Sequence, residues 1–148
     1  MEVPDMVRPL SESDRRSWTQ LWEAYLHFYR AEIDDRVTWD TFSRLAAGTG
    51  PVVGLVAEDE SHRLLGFVHL VFHPTTWSSS DRCYVEDLFV ATQARGKGVA
   101  RELLESAFEE ADRRGAASTY WETQEFNAPA RSLYDRVAHR TSYVVYER

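Results

Sequence analysis

Cysteine is almost absent from this chain: one residue, Cys83, in 148. An internal disulfide framework is excluded, and the composition fits a reducing cytoplasm. Cys83 falls in a strand-like run, so it reads as a buried thiol rather than a nucleophile. Long apolar runs are missing as well. None approaches the roughly 20 residues that cross a bilayer, and no signal-peptide pattern opens the chain. Positive charge is in deficit: 17 Lys and Arg stand against 24 Asp and Glu, a formal net charge of −7. That balance argues against sequence-independent nucleic-acid binding and leans toward cationic partners. There is no internal repeat, low-complexity tract or linker. What the chain has in quantity is core material, with 43% hydrophobic residues and five Trp. The length suits one domain, residues 1–148, around a packed interior.

Periodicity orders the elements. Residues 5–10 suit a short strand, and Ser11 to Asp14 offer a capping box. Trp18, Leu21, Trp22, Tyr25, Leu26 and Tyr29 recur at helical spacing. Asp34-Asp35 read as an acidic loop, and Thr38 as the cap of a second helix that carries Phe42, Leu45 and Ala46 and stops at Gly48. Pro51–Glu58 and Leu64–Phe72 are apolar β-rich runs joined by a hairpin turn over 59–63, and 73–82 read as a polar loop. A strand over 83–90 leads into a glycine-rich turn. Val99, Leu103, Leu104, Ala107 and Ala111 then mark one face of a helix that ends at Gly115. Residues 117–122 read as strand, Asn127 opens a helix with Pro129 in its first turn, and 142–147 read as a last strand. The order β-α-α-β-β-β-α-β-α-β predicts a mixed sheet with helices on both faces.

Chemistry concentrates in Gln93 to Arg101. A strand feeds a turn with Gly96 and Gly98, flanked by Arg95 and Lys97, and the turn opens a helix. The first N–H groups of a helix lack internal partners and carry the positive end of its dipole. Glycines let an anion approach the backbone, so the turn is read as a pyrophosphate cradle. It is not a Rossmann fingerprint, because Arg101 stands at the third glycine place, and it is not a P-loop.

The pattern Arg95-x-x-Gly98-x-Ala100 resembles the acetyl-CoA signature, Gln/Arg-x-x-Gly-x-Gly/Ala, of the GNAT N-acetyltransferase superfamily. Tyr84 to Val90, and Trp121-Glu122-Thr123 followed by Asn127, Ala130, Leu133 and Tyr134, carry the likeness further in the same order. Glu86-Asp87-Leu88-Phe89-Val90 looks like the polyamine and diamine branch. Trp22, Tyr25, Leu26, Phe28 and Tyr29 look like the yeast-type histone and D-amino-acid acetyltransferases.

The resemblance implies an α/β (α+β) fold: a GNAT-like mixed, mostly antiparallel twisted sheet with helices on both faces and a splayed central strand pair. It implies acetyl-CoA as cosubstrate, its pantetheine lying between the strand at Glu86–Val90 and the strand at Thr119–Glu122 and bonding the backbone of Leu88 and Val90. Its pyrophosphate would meet Arg95, Gly96, Lys97, Gly98, Val99 and Ala100, with Asn127 and Ala130 as further cofactor contacts. Asn127 is equally explicable as a helix cap. Glu86 is the implied base, through a water, and Tyr134 the acid for the leaving thiolate. Successive strand residues face opposite ways, so Asp87 is expected to anchor a second positive group of the substrate. Trp121 and an acidic, aromatic lid of Asp34, Asp35 and Trp39 complete the expected acceptor side. His69 and His73 share a strand face and are read as cleft-lining or partly buried, with no metal site.

The implied function is direct acetyl transfer to a primary amine of a small cationic acceptor, such as a polyamine or an amino acid. A protein lysine or N-terminus, an aminoglycoside, or a catalytically silent acyl-CoA-binding module remain alternatives. One departure stands out. The family's Gly-Phe after the tyrosine is absent from Tyr134 to His139, and the remaining residues allow one closing strand, 142–147, where relatives form two. Such an edge is expected to pair with another copy, giving a homodimer built on the C-terminal segment.

Overall fold

A computed structural model describes residues 6–148; position 5 of the first expected strand lies outside the described residues. The chain folds as β1 (Val7–Pro9), α1 (Arg15–Phe28), α2 (Asp35–Ala47), β2 (Val52–Glu58), β3 (Leu64–Thr75), β4 (Ser78–Val90), α3 (Val99–Arg113), β5 (Ser118–Tyr120) and α4 (Ala128–Val137). The five strands lie in chain order in one sheet, antiparallel throughout except for the parallel pair β4–β5. A parallel neighbour requires a crossover, and α3 supplies it.

Each face of the sheet buries a different kind of core. Against α1 and α2 the core is aromatic, with Trp18, Trp22, Phe42, Phe67 and Phe89 packed together. Against α3 it is aliphatic, with Val68, Leu70, Val85, Leu103 and Leu104, and α4 adds only the partly buried Leu133, Tyr134 and Val137. Gly66 is required by close approach: a Cβ there would meet the Phe89 carbonyl oxygen of β4. No helix among the described residues is long and apolar enough to cross a membrane.

Three sequence expectations are corrected. The second helix starts at Asp35, not at Thr38, because Asp34 Oδ1 accepts the Arg36 N–H at 2.8 Å and caps it four residues earlier. The expected loop over 73–82 is mostly strand, since β3 and β4 continue outward as a long hairpin. Pro74 is tolerated because it falls at the register shift between His73 and Thr75, where no ladder N–H is needed. The expected strand over 142–147 does not form. A strand needs a neighbour to take its backbone groups, and among the described residues no strand pairs there; Tyr143 and Tyr146 are 89% and 92% exposed.

Candidate active site

The site begins as a gap. β4 and β5 pair only at Arg82↔Ser118, Cys83↔Thr119 and Tyr84↔Tyr120. β5 stops at Tyr120, while β4 continues to Val90. Beyond Tyr84, the side of β4 that faced β5 has no strand partner, and Leu88 and Val90 lie on this stretch. An unpaired strand edge offers backbone donors and acceptors to an extended ligand.

Opposite the start of the gap, β4 carries a bulge. Asp87 pairs with His69 and Val85 with Leu70, which leaves Glu86 without a partner on β3. The extra residue switches the strand's facing pattern. Cys83 and Val85 face the aliphatic core, and so, three residues after Val85, do Leu88 and Val90. Glu86 is exposed at the bulge. Although the residue as a whole is exposed, partial burial of its carboxyl raises its pKa, Asp87 and Glu122 push in the same direction, and the nearby Tyr84 hydroxyl opposes them. A carboxylate with raised proton affinity is better suited to removing a proton near neutral pH. Asp87 turns toward α1 instead. Its Oδ1 accepts the Tyr25 hydroxyl and its Oδ2 meets His69 Nδ1, both at 2.8 Å. Each oxygen thus has a partner from within the fold, which ties the side chain to α1 and β3.

Past Val90 the chain forms the cradle. Gly96 and Gly98 have φ of 78° and 81°, and apart from the adjoining residues nothing lies within 4 Å of a Cβ built at either. Glycine is needed there for the left-handed backbone, and the space above both stays open to a ligand. Among the described residues, no backbone carbonyl accepts the N–H groups from Gly96 to Arg101. This run of free donors at the start of α3 fits a pyrophosphate. Lys97 is exposed on the turn. Arg95 is partly committed elsewhere: its Nε donates to the Val90 carbonyl at 3.1 Å, and its guanidinium lies 5.7 Å from the ring centres of Phe28 and of Phe89. It braces the end of β4 at the cradle's rim.

The other wall of the gap is Trp121 and α4. Asn127 caps α4 by accepting the Ala130 N–H at 3.4 Å, so both residues serve the helix start. Trp121 stacks on Phe108 and meets the Tyr134 ring edge-on at 5.4 Å, so it packs directly against Tyr134. The Tyr134 phenol has a raised pKa, first from burial and then from Tyr29, the residue after α1.

The expected lid is not brought to this place. Asp34 is spent as a helix cap with Asp35 beside it, and the Trp39 ring is covered by the Arg15 guanidinium at 3.8 Å. Arg15 stands ten residues before Tyr25, about 15 Å along α1. The last turn of α1 instead brings Tyr25 against Asp87 and Phe89 on β4, with Tyr29 packed edge-on beside it. Those tyrosines and Glu122 were legible only as a helical stripe and as part of the Trp-Glu-Thr string. Cys83 is fully buried and its thiol is pushed up to about 11, chiefly by burial, so it offers no nucleophile. His73 is bonded to the Pro74 carbonyl and the Tyr120 hydroxyl at 2.8 and 2.7 Å.

Comparison with known proteins bears on this geometry. A family model, "Acetyltransferase (GNAT) family", matches residues 11–139. The D-amino-acid N-acetyltransferase HPA3 of Saccharomyces cerevisiae is 35% identical over 144 residues, which span 97% of this chain and 89% of that protein. The uncharacterized N-acetyltransferase YhfO of Bacillus subtilis is 33% identical over 144 residues, 95% of this chain and 94% of its own. Among solved structures, AAC(6')-Iy in complex with the bisubstrate analog CoA-S-monomethyl-acetylneamine matches with a TM-score of 0.80 at 17% identity, over 96% of this chain and 95% of that one, a likeness of fold.

Proposed function

The chain belongs to the acetyltransferase (GNAT) family, and on that premise we propose that it transfers acetyl directly to a primary amine of a small cationic acceptor. It is an N-acetyltransferase with acetyl-CoA as cosubstrate, and its mixed, mostly antiparallel sheet flanked by helices is the family's fold. The free N–H groups from Gly96 to Arg101 would hold the pyrophosphate, and the open edge of β4 at Leu88 and Val90 the arm that follows it. When bound, acetyl-CoA supplies an activated acyl carbon and a thiolate leaving group.

The protein's own residues then manage two protons. An alkylammonium has a pKa of about 10.4 and must lose a proton before it attacks. Glu86 takes that proton through a water. The N–C bond forms as the C–S bond breaks, the amide nitrogen sheds its second proton to water, and the Tyr134 hydroxyl gives its proton to the departing sulfur. The phenol is restored from solvent.

The observation that carries the acceptor class is the charge around the gap. Glu86 lies within the electrostatic reach of two further carboxylates, Asp87 and Glu122. A site of this sign favours cations. The name of the yeast relative supports a second reading, the α-amine of an amino acid. An amine panel read by thiol release separates the two: diamines and amino-acid amides should outrun the corresponding free amino acids. Faster turnover of the free acids would select the second reading, and cofactor binding without turnover of any amine would make the chain a silent binding module.

The proposal extends to assembly. Tyr143, Val144, Val145 and Tyr146 are 70–92% exposed, and β5 has one strand neighbour. Pairing this segment across two copies would cover both, giving a homodimer. Light scattering that finds a monomer at micromolar concentration would remove it.

A further inference from the structure

α1 carries Trp18 and Tyr25 seven residues apart, two turns of helix, so both look onto one strip of the sheet. There β3 and β4 set His69 and Asp87 opposite each other, at the pair that borders the bulge. The four side chains form one unbroken run of hydrogen bonds. Trp18 Nε1 donates to His69 Nε2 at 3.1 Å, His69 Nδ1 meets Asp87 Oδ2 at 2.8 Å, and the Tyr25 hydroxyl donates to Asp87 Oδ1 at 2.8 Å. An indole N–H only donates, so His69 Nε2 is the bare nitrogen and Nδ1–H is the donor to Asp87. His69 is 2% exposed, and its ring stacks on Phe67 at 4.3 Å between centres, which fixes the ring plane. A bulged residue stands outside the ladder and can pivot about its two neighbours. Val85, on one side of Glu86, is held in the aliphatic core. Asp87, on the other side, is paired with His69 in the ladder, and its side chain is held by this polar run.

We propose that the Trp18–His69–Asp87–Tyr25 run is a positioning device that fixes the direction in which the bulged Glu86 presents its carboxylate to the gap. The inference rests on the reading of Glu86 as the base. Asp87 is then a positioning residue, not an acceptor contact. Its charge has a second effect. The groups facing Glu86 are Asp87 and Tyr84 on β4 and Glu122 beyond β5, and Asp87 and Glu122 raise its proton affinity. Removing the charge at 87 should therefore move the acidic limb of the activity profile to lower pH. Removing only the Tyr25 hydroxyl should loosen Glu86 with the charge at 87 left in place.

The test is steady-state kinetics of Tyr25→Phe and Asp87→Asn in the full chain, each alone and combined with Glu86→Gln, with circular dichroism to verify folding. Tyr25→Phe should lower kcat roughly tenfold with the amine KM within about twofold, as expected of a displaced catalytic group. Asp87→Asn should lower kcat further and shift the acidic limb downward. With Glu86→Gln already present, Tyr25→Phe should cost less than about twofold, because the two act as one unit. A raised amine KM with kcat kept in Asp87→Asn, and a silent Tyr25→Phe, would make Asp87 an acceptor anchor and overturn the inference. So would a Tyr25→Phe loss that persists in full beside Glu86→Gln, even with the base assignment intact. Wild-type activity in Glu86→Gln alone would remove the base assignment and this inference together.

Discussion

The two walls of the gap are built to different standards. On one side β4 is laddered to β3 from Gly66 to Thr75, Val85 and Phe89 are buried, and Asp87 is tied to both α1 and β3. On the other side β5 has three residues, α4 has no fully buried residue, and the segment after it is exposed. The base candidate and the pyrophosphate turn stand on or just past the rigid wall. The acid candidate, Tyr134, stands on the thin one. The difference teaches that a reaction between two strands needs one wall to hold geometry, while the other can borrow its stability from what covers it.

Substitutions sharpen the contrast, and the largest effect is expected at the cradle. Gly98→Val forces a β-branched residue into a left-handed backbone and shields free N–H groups; charge-assisted hydrogen bonds are worth about 1.5–3 kcal/mol each, so coenzyme A affinity should fall by roughly 10²-fold or more. Calorimetry on the folded variant measures it, and unchanged affinity would remove the cradle assignment. Next comes Tyr134→Phe, which keeps the ring against Trp121 and deletes the proton. We expect kcat to drop by roughly 10²-fold with little change in cofactor affinity. A kcat within a factor of two of wild type would make Tyr134 a packing residue.

A smaller effect should follow from removing residues 141–148. On the proposed homodimer, the truncated chain should be monomeric or poorly soluble, with the β4 side intact. A truncated chain that stays dimeric by light scattering would break the comparison. The smallest effect concerns stability. Glu86 has a raised pKa in the fold. Between its unfolded and folded values the native state binds more protons, so its contribution to stability falls as pH rises through that window. Glu86→Gln should therefore be slightly more stable than wild type at neutral pH, and the difference should vanish in acid, below the ordinary carboxylate range. A Tm difference that is constant with pH would contradict the shift.

Legibility in the sequence followed locality. The glycine turn, the α3 face from Val99 to Ala111 and the Asn127 cap are short-range patterns, and the structure has them where periodicity and cap chemistry indicate. Thr38 was misread because Asp34, a better cap, stood four residues upstream. The bulge was hidden although its trace is present: core residues at 83 and 85 and then at 88 and 90 break the period of two. Alternation alone sent Glu86 and Asp87 to opposite faces for the wrong reason.

The chain by itself determined the class of fold and the glycine turn, because each depends on neighbours a few positions away: strand alternation, helix period, and left-handed glycines before a helix; the candidate acid and base came from the resemblance to the GNAT family. Tertiary structure alone decided which carboxylate is free and which is tied. Asp87 meets Tyr25 across 62 positions and His69 across 18, and Trp18 reaches His69 across 51. No local pattern encodes such contacts. They form only when helix and sheet are packed, and burial there makes an unpaired polar group costly.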